Sequence, residues 1–120
     1  MTKKTLILGA SENPERYAYK AAHSLTAHKH PIINIGIKKG EVAGEIIHTD
    51  RPIFADIDTI TLYIGAKNQP EWYDYILAIK PKRIIFNPNT ENSELKSLAE
   101  KQGIETIEAC TLVMLSIGNY

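Results

Sequence analysis

Strand and helix patterns alternate along the whole of this 120-residue chain. That alternation predicts an α/β protein, a three-layer α/β/α sandwich on a mostly parallel sheet of about five strands. Three observations carry the expectation. Short runs of aliphatic and β-branched residues, apolar on both faces, recur at Leu6-Ile7-Leu8, Thr59-Ile60-Thr61-Leu62 and Ile84-Ile85-Phe86, as buried parallel strands require. Apolar residues at helical spacing lie between them. Glycine or proline marks most of the transitions. Nothing resembling a linker or repeat divides the sequence, so residues 1–120 are read as a single domain.

The first strand is expected over about residues 4–8, ending at Gly9-Ala10-Ser11. Asn13 is placed to cap the next helix, with Pro14 at its first position, where a missing N–H costs nothing. Tyr17, Ala18, Ala21, Ala22 and Leu25 would form its buried stripe, and Pro31 ends it. Residues 31–35 read as the second strand, finishing at Gly36. Residues 37–54 are the least regular stretch, with one short strand near 46–48. Residues 59–64 have the pattern of a central strand.

Pro70 opens a helix whose stripe is Trp72, Tyr73, Ile76, Leu77 and Ile79, and Pro81 closes it. A strand at 83–86 leads into Asn87-Pro88. Asn92 or Ser93 can cap a helix carrying Leu95, Leu98 and Ala99, which stops at Gly103. Residues 104–108 make a last strand, and the apolar tail at 110–117 a short packed helix.

Composition narrows the function. Lysine plus arginine and aspartate plus glutamate number 14 each. No global field therefore draws the chain to nucleic acid or to an acidic membrane. No stretch approaches the roughly 20 apolar residues of a membrane span, and the five-residue apolar run near the start is shorter than the core of a secretion signal. Cys110 is the single cysteine, so no intramolecular disulfide can form, which suits a reducing compartment. A cytoplasmic protein is expected.

In a parallel α/β sheet, ligands collect outside the carboxyl ends of the strands. Those ends carry Gly9-Ala10-Ser11, Gly36-Ile37-Lys38, Ile64-Gly65-Ala66, Asn87-Pro88 and Ala109-Cys110. The first is a strand running through glycine and a small hydroxyl residue into a helix, a geometry that aims backbone N–H groups at a phosphate. The dinucleotide frame G-x-G-x-x-G, laid from Gly9, falls on Ser11 and Pro14, so only its first glycine is present. Arg16 sits where it can add a charge. After the second strand an NAD protein places an acid for the ribose hydroxyl; this chain places Lys38 and Lys39. Two cations there suit a ribose bearing an extra phosphate, as in NADP or CoA, or else form a solvated turn.

The run Gly9-Ala10-Ser11-Glu12-Asn13-Pro14-Glu15-Arg16-Tyr17 resembles the opening of the small single-domain CoA-binding proteins, relatives of the CoA-binding domain of succinyl-CoA synthetases. The similarity continues through Lys82-Arg83-Ile84-Ile85-Phe86-Asn87-Pro88, Glu91-Asn92-Ser93-Glu94-Leu95 and Glu108-Ala109-Cys110. The resemblance implies a Rossmann-like fold with the CoA pyrophosphate at Ala10 and Ser11 and Arg16 nearby. It places the adenosine end toward Gly36, Lys38 and Lys39, and makes the loop after Tyr63, with Ile64 and Lys67, one wall. Two departures stand out: Gly36-Ile37 replaces an Asn-Pro pair common among relatives, and the arginines many of them carry after the central strand are absent.

Cys110 is the only plausible nucleophile, at a strand end and a helix start, the setting that favours a thiolate; free cysteines more often simply pack. His23, His28, His30 and His48 do not converge in the sequence pattern as zinc ligands would. Glu108 is the one acid beside a strand end. The favoured reading is a non-catalytic carrier or sensor of CoA or acyl-CoA. The alternatives are a small NADP-dependent or thiol-based enzyme using Cys110, or a ligand-free interaction module. Edge strands and the apolar tail leave room for a homodimer.

Overall fold

Complete burial of both faces places β1 (Thr5–Leu8) and β5 (Thr59–Leu62) in the middle of the sheet. The computed structural model describes residues 2–120. Five further strands are β2 (Ile32–Ile35), β3 (Glu41–Val42), β4 (Glu45–His48), β6 (Arg83–Phe86) and β7 (Glu105–Glu108). Their order across the seven-stranded sheet is β3-β4-β2-β1-β5-β6-β7. Every pairing is parallel except that of β3 with β4. The sheet has seven strands where about five were expected; the short strand near 46–48 is present as β4, and β3 was not foreseen.

The addition comes from the irregular stretch. Ala43 (φ 53°) and Gly44 (φ 84°) turn the chain through two left-handed residues between β3 and β4, as the tightest hairpins demand. Alanine is an uncommon choice there, so the turn carried no clear signal. Val42 fills the core on the inner side.

Helices cover both faces. α1 (Tyr17–Ala27) and α4 (Thr111–Ser116) pack together on one side, where Ala18, Ala21, Ala22 and Leu25 meet Ile7, Ile32 and Leu115. α2 (Tyr73–Ile79) and α3 (Ser93–Lys101) cover the other with Ile76, Ile79, Leu95 and Ala99 against Leu6, Leu8, Ile60 and Phe86. Alternation along the parallel strands feeds these two cores, since successive side chains point to opposite faces. No helix among the described residues is long and apolar enough to cross a membrane.

Two helix starts differ from the sequence expectation. Asn92 caps α3 as expected, accepting from the N–H groups of Glu94 (3.0 Å) and Leu95 (3.3 Å). Asn13 does not cap α1. Its Oδ1 takes the Glu15 N–H at 3.0 Å, and Ser11 Oγ takes the Asn13 N–H at 3.1 Å. These local turns delay the helix to Tyr17, whose preceding residue, Arg16, offers no side-chain cap. Tyr17 consequently faces outward, 65% exposed, instead of joining the buried stripe. On the other face, two single 3-10 turns at Ala66–Asn68 and Pro70–Trp72 precede α2.

Candidate functional site

Strand order reverses beside β1: β2 lies on one side, and the chain returns through β5 on the other. Such a switch point leaves a crevice at the carboxyl ends of the strands. A groove of about 1140 Å³ opens there. Among the expected site residues, Gly9, Ala10, Ser11, Arg16, Tyr17, Gly36, Lys38, Tyr63, Ile64 and Lys67 line it.

The turn after β1 is tightly built. Gly9 has φ 101°, a conformation glycine adopts without strain, and a side chain there would press on Tyr63, whose backbone C and O lie 3.0 Å from where Cβ would sit. At Gly36 the approach is closer still, since a Cβ would lie 2.6 Å from the Ala10 carbonyl oxygen. This contact gives a physical reason for glycine after β2. The N–H groups of Gly9 and Ala10 both donate to the Ile35 carbonyl at 2.9 Å, so these two amides are spent on the sheet. Among the described residues, the Ser11 N–H has no acceptor, and the first turn of α1 has no side-chain cap. Amides available to an anion therefore sit at Ser11 and at the helix start, one residue or more beyond Gly9-Ala10.

Charge in the groove is mixed. Arg16, Lys38 and Lys67 line it together with Glu15 and Glu71. Glu71 is engaged by Arg51 at 3.3 Å, the one ion pair among the described residues. Arg51 also lies 3.6 Å from the centre of the Trp72 ring, a stacked cation–π arrangement. Arg16, Lys38 and Lys67 have no carboxylate partner among the described residues.

A buried amide joins the two walls on the far side. Gln69, fully enclosed, donates from Nε2 to the carbonyls of Ile64 (2.8 Å) and Thr90 (2.7 Å), while its Oε1 accepts from Asn92 at 2.9 Å. One side chain thereby ties the loop after β5 to the loop after β6. Trp72 and Thr90 line the groove above it. Sequence reasoning placed Trp72 in the core by its spacing; it is both buried and part of the wall. Gln69 gave no signal beyond its place before Pro70.

Tyr63 closes the floor between β1 and α4. Burial pushes its hydroxyl up to about 12, while the hydroxyls of Thr61 and Thr111 beside it favour the ionised form slightly. Those two hydroxyls bond each other at 2.8 Å, and Tyr63 Oη makes no hydrogen bond among the described residues.

Four expected residues lie outside the lining: Pro14, Lys39, Asn87 and Cys110. Pro14 and Lys39 are exposed in their loops. Asn87 is buried and fully occupied, donating to Thr61 Oγ1 (2.7 Å) and the Leu62 carbonyl (2.8 Å) and accepting from the Thr111 N–H (2.9 Å). It fastens the end of β6 to β5 and α4. Cys110 is half-buried at the start of α4, its carbonyl accepting from the Met114 N–H at 2.9 Å.

Comparison with known proteins agrees with this architecture. A crystal structure of an uncharacterized protein superposes with a TM-score of 0.98 at 53% identity, over 100% of this chain and 99% of that one. A Thermus thermophilus protein, cell-free ID.343, gives 0.86 at 16% identity over 99% and 91% of the two chains. A hypothetical protein from Pyrococcus horikoshii OT3 gives 0.86 at 24% identity over 97% and 83%. The latter two show the fold alone. No curated protein matches the chain. The family described as CoA binding domain matches residues 3–116. The chain belongs to that CoA-binding domain family.

Proposed function

We propose that the protein holds CoA or an acyl-CoA in the groove at the switch point and acts as a carrier or sensor. The observation that carries this reading is the meeting, in one crevice of about 1140 Å³, of a capless helix start with a Ser11 N–H and three cations that have no partner among the described residues. In this reading the diphosphate takes the Ser11 N–H and the start of α1, with Arg16 beside it. Lys38 faces the phosphate on the ribose, and the pantetheine arm runs past Ile64, Gly65 and Trp72. Anions at such a helix start gain from both free donors and the helix dipole.

Chemistry of the lining supports carriage over catalysis. Its carboxylates are Glu15 and Glu71, the second tied to Arg51, and Cys110 lies outside.

Trp72 is the only tryptophan and lines the groove, so its fluorescence reports occupancy directly. Titration with CoA is expected to change its emission saturably. Thermal denaturation with CoA at about a hundred times its dissociation constant should show roughly 2.7 kcal/mol of added stability, a rise of several degrees. Ser11→Asp puts a like charge in the cradle and is expected to weaken CoA at least tenfold. A response to NADP alone would move the reading to a nicotinamide cofactor. No response to either at millimolar concentration would refute a nucleotide-binding role.

A further inference from the structure

We infer that Glu12 is a positioning residue: its side chain, laid across Gly40, sets the loop bearing Ile37 and Lys38 against the phosphate turn. The inference rests on the reading of the groove as a CoA site and adds the device that orders one of its walls.

The β1–α1 loop crosses the β2–β3 loop at two points. At the first, the Ala10 carbonyl oxygen lies 2.6 Å from where a Cβ of Gly36 would stand. At the second, Glu12 Cγ and Oε1 each lie 2.6 Å from the corresponding position at Gly40. Glycine at 40 thus leaves the space that the Glu12 side chain fills. From there Glu12 Oε2 accepts the Glu41 N–H at 2.9 Å. The loop is fixed at its ends by β4, through Gly36 N–H to the His48 carbonyl (3.0 Å) and Ile47 N–H to the Gly40 carbonyl (2.7 Å). Between those ends, Ile37, Lys38 and Lys39 are exposed and make no hydrogen bonds among the described residues.

A cation on a loose loop must be ordered when its ligand arrives, and that ordering subtracts from affinity. By filling the space at Gly40 and taking the Glu41 N–H, Glu12 holds the far end of the stretch that carries Lys38 and narrows its freedom before the ligand arrives. The consequence is specific. Loss of the Glu12 contact should weaken recognition of the ribose phosphate that Lys38 faces, and leave the diphosphate grip at Ser11 in place.

CoA and dephospho-CoA separate these two contacts, with Trp72 fluorescence as the readout. Wild type should bind CoA at least fivefold more tightly than dephospho-CoA. Glu12→Ala should lose most of that preference while keeping dephospho-CoA affinity within twofold, and Glu12→Gln, which retains an acceptor, should restore it. Gly40→Ala, whose Cβ displaces Glu12, should behave like Glu12→Ala and have no further effect in the Glu12→Ala background, the non-additivity expected of residues in contact. Gly40→Ala also carries the test if Glu12→Ala does not fold. A preference that persists in both variants, or its absence in wild type, overturns the role of Glu12 and leaves CoA binding standing. Failure of wild type to bind CoA removes the underlying reading as well.

Discussion

Tyr63 shows at the scale of one residue how burial and chemistry meet beneath the groove. Its hydroxyl has no hydrogen-bond partner among the described residues, and burial holds it neutral, pushed up to about 12 from an ordinary 10. Tyr75 is raised to about 12 as well, by burial first and then by Asp50. A group that ionises later in the folded state contributes stability fully below pH 10 and loses it as pH rises from 10 toward 12, because the unfolded chain sheds the proton first. Stability is therefore expected to fall across that window. Tyr63→Phe should make the fall shallower in denaturation curves measured from pH 9 to 12. At pH 7 the same change should cost under about 1 kcal/mol, since it removes a polar atom that has no partner. A slope unchanged by Tyr63→Phe would show that the hydroxyl ionises as readily in the fold as in water. Neither the orphan hydroxyl nor the enclosure of Gln69 was legible in the sequence. A tyrosine and a glutamine carry no local signal of what a crossover from another part of the chain lays over them.

Among the elements, legibility followed the locality of the interactions. β6 was expected at residues 83–86 and is found there, because β-branched and aromatic side chains buried on both faces state their own environment. The start of α3 was legible for the same reason, its cap lying within three residues in sequence. The start of α1 was not, since Asn13 and Ser11 spend their oxygens on turns before the helix, although its buried stripe of Ala18, Ala21, Ala22 and Leu25 is found as expected. Outside the helices, Gln69 is the structural hinge pin between two loops. Gln69→Ala leaves the Ile64 and Thr90 carbonyls and the Asn92 amide without this partner, and is expected to cost about 2–4 kcal/mol in urea unfolding. The same variant should weaken CoA by loosening the Trp72 wall. A cost under about 0.5 kcal/mol would mean that solvent satisfies those groups and that the loops are not tied. Gly36→Ala drives a methyl group into the Ala10 carbonyl. A loss of about 1–3 kcal/mol, with weaker CoA binding, is expected in the same assays.

Over the whole molecule, the groove exists because strand order reverses between β1 and β5, with α1 on one face and the loops before α2 on the other. Alternation of strands and helices predicted that architecture, and the strand ends marked most of the lining. Asn87 and Cys110 follow strands at the same end of the sheet but lie outside the groove lining, where α4 begins and its Thr111 N–H engages Asn87. The central claim is that CoA lies along the switch point, and amide chemical-shift mapping during a CoA titration tests it most directly. Perturbations are expected at Ser11, Tyr17, Ala18, Gly36, Lys38 and Gly65 and at the Trp72 indole, saturating together. Perturbations centred instead on His28, His30 and Tyr120 at the small cavity beside α4, or none at saturating CoA, would contradict it.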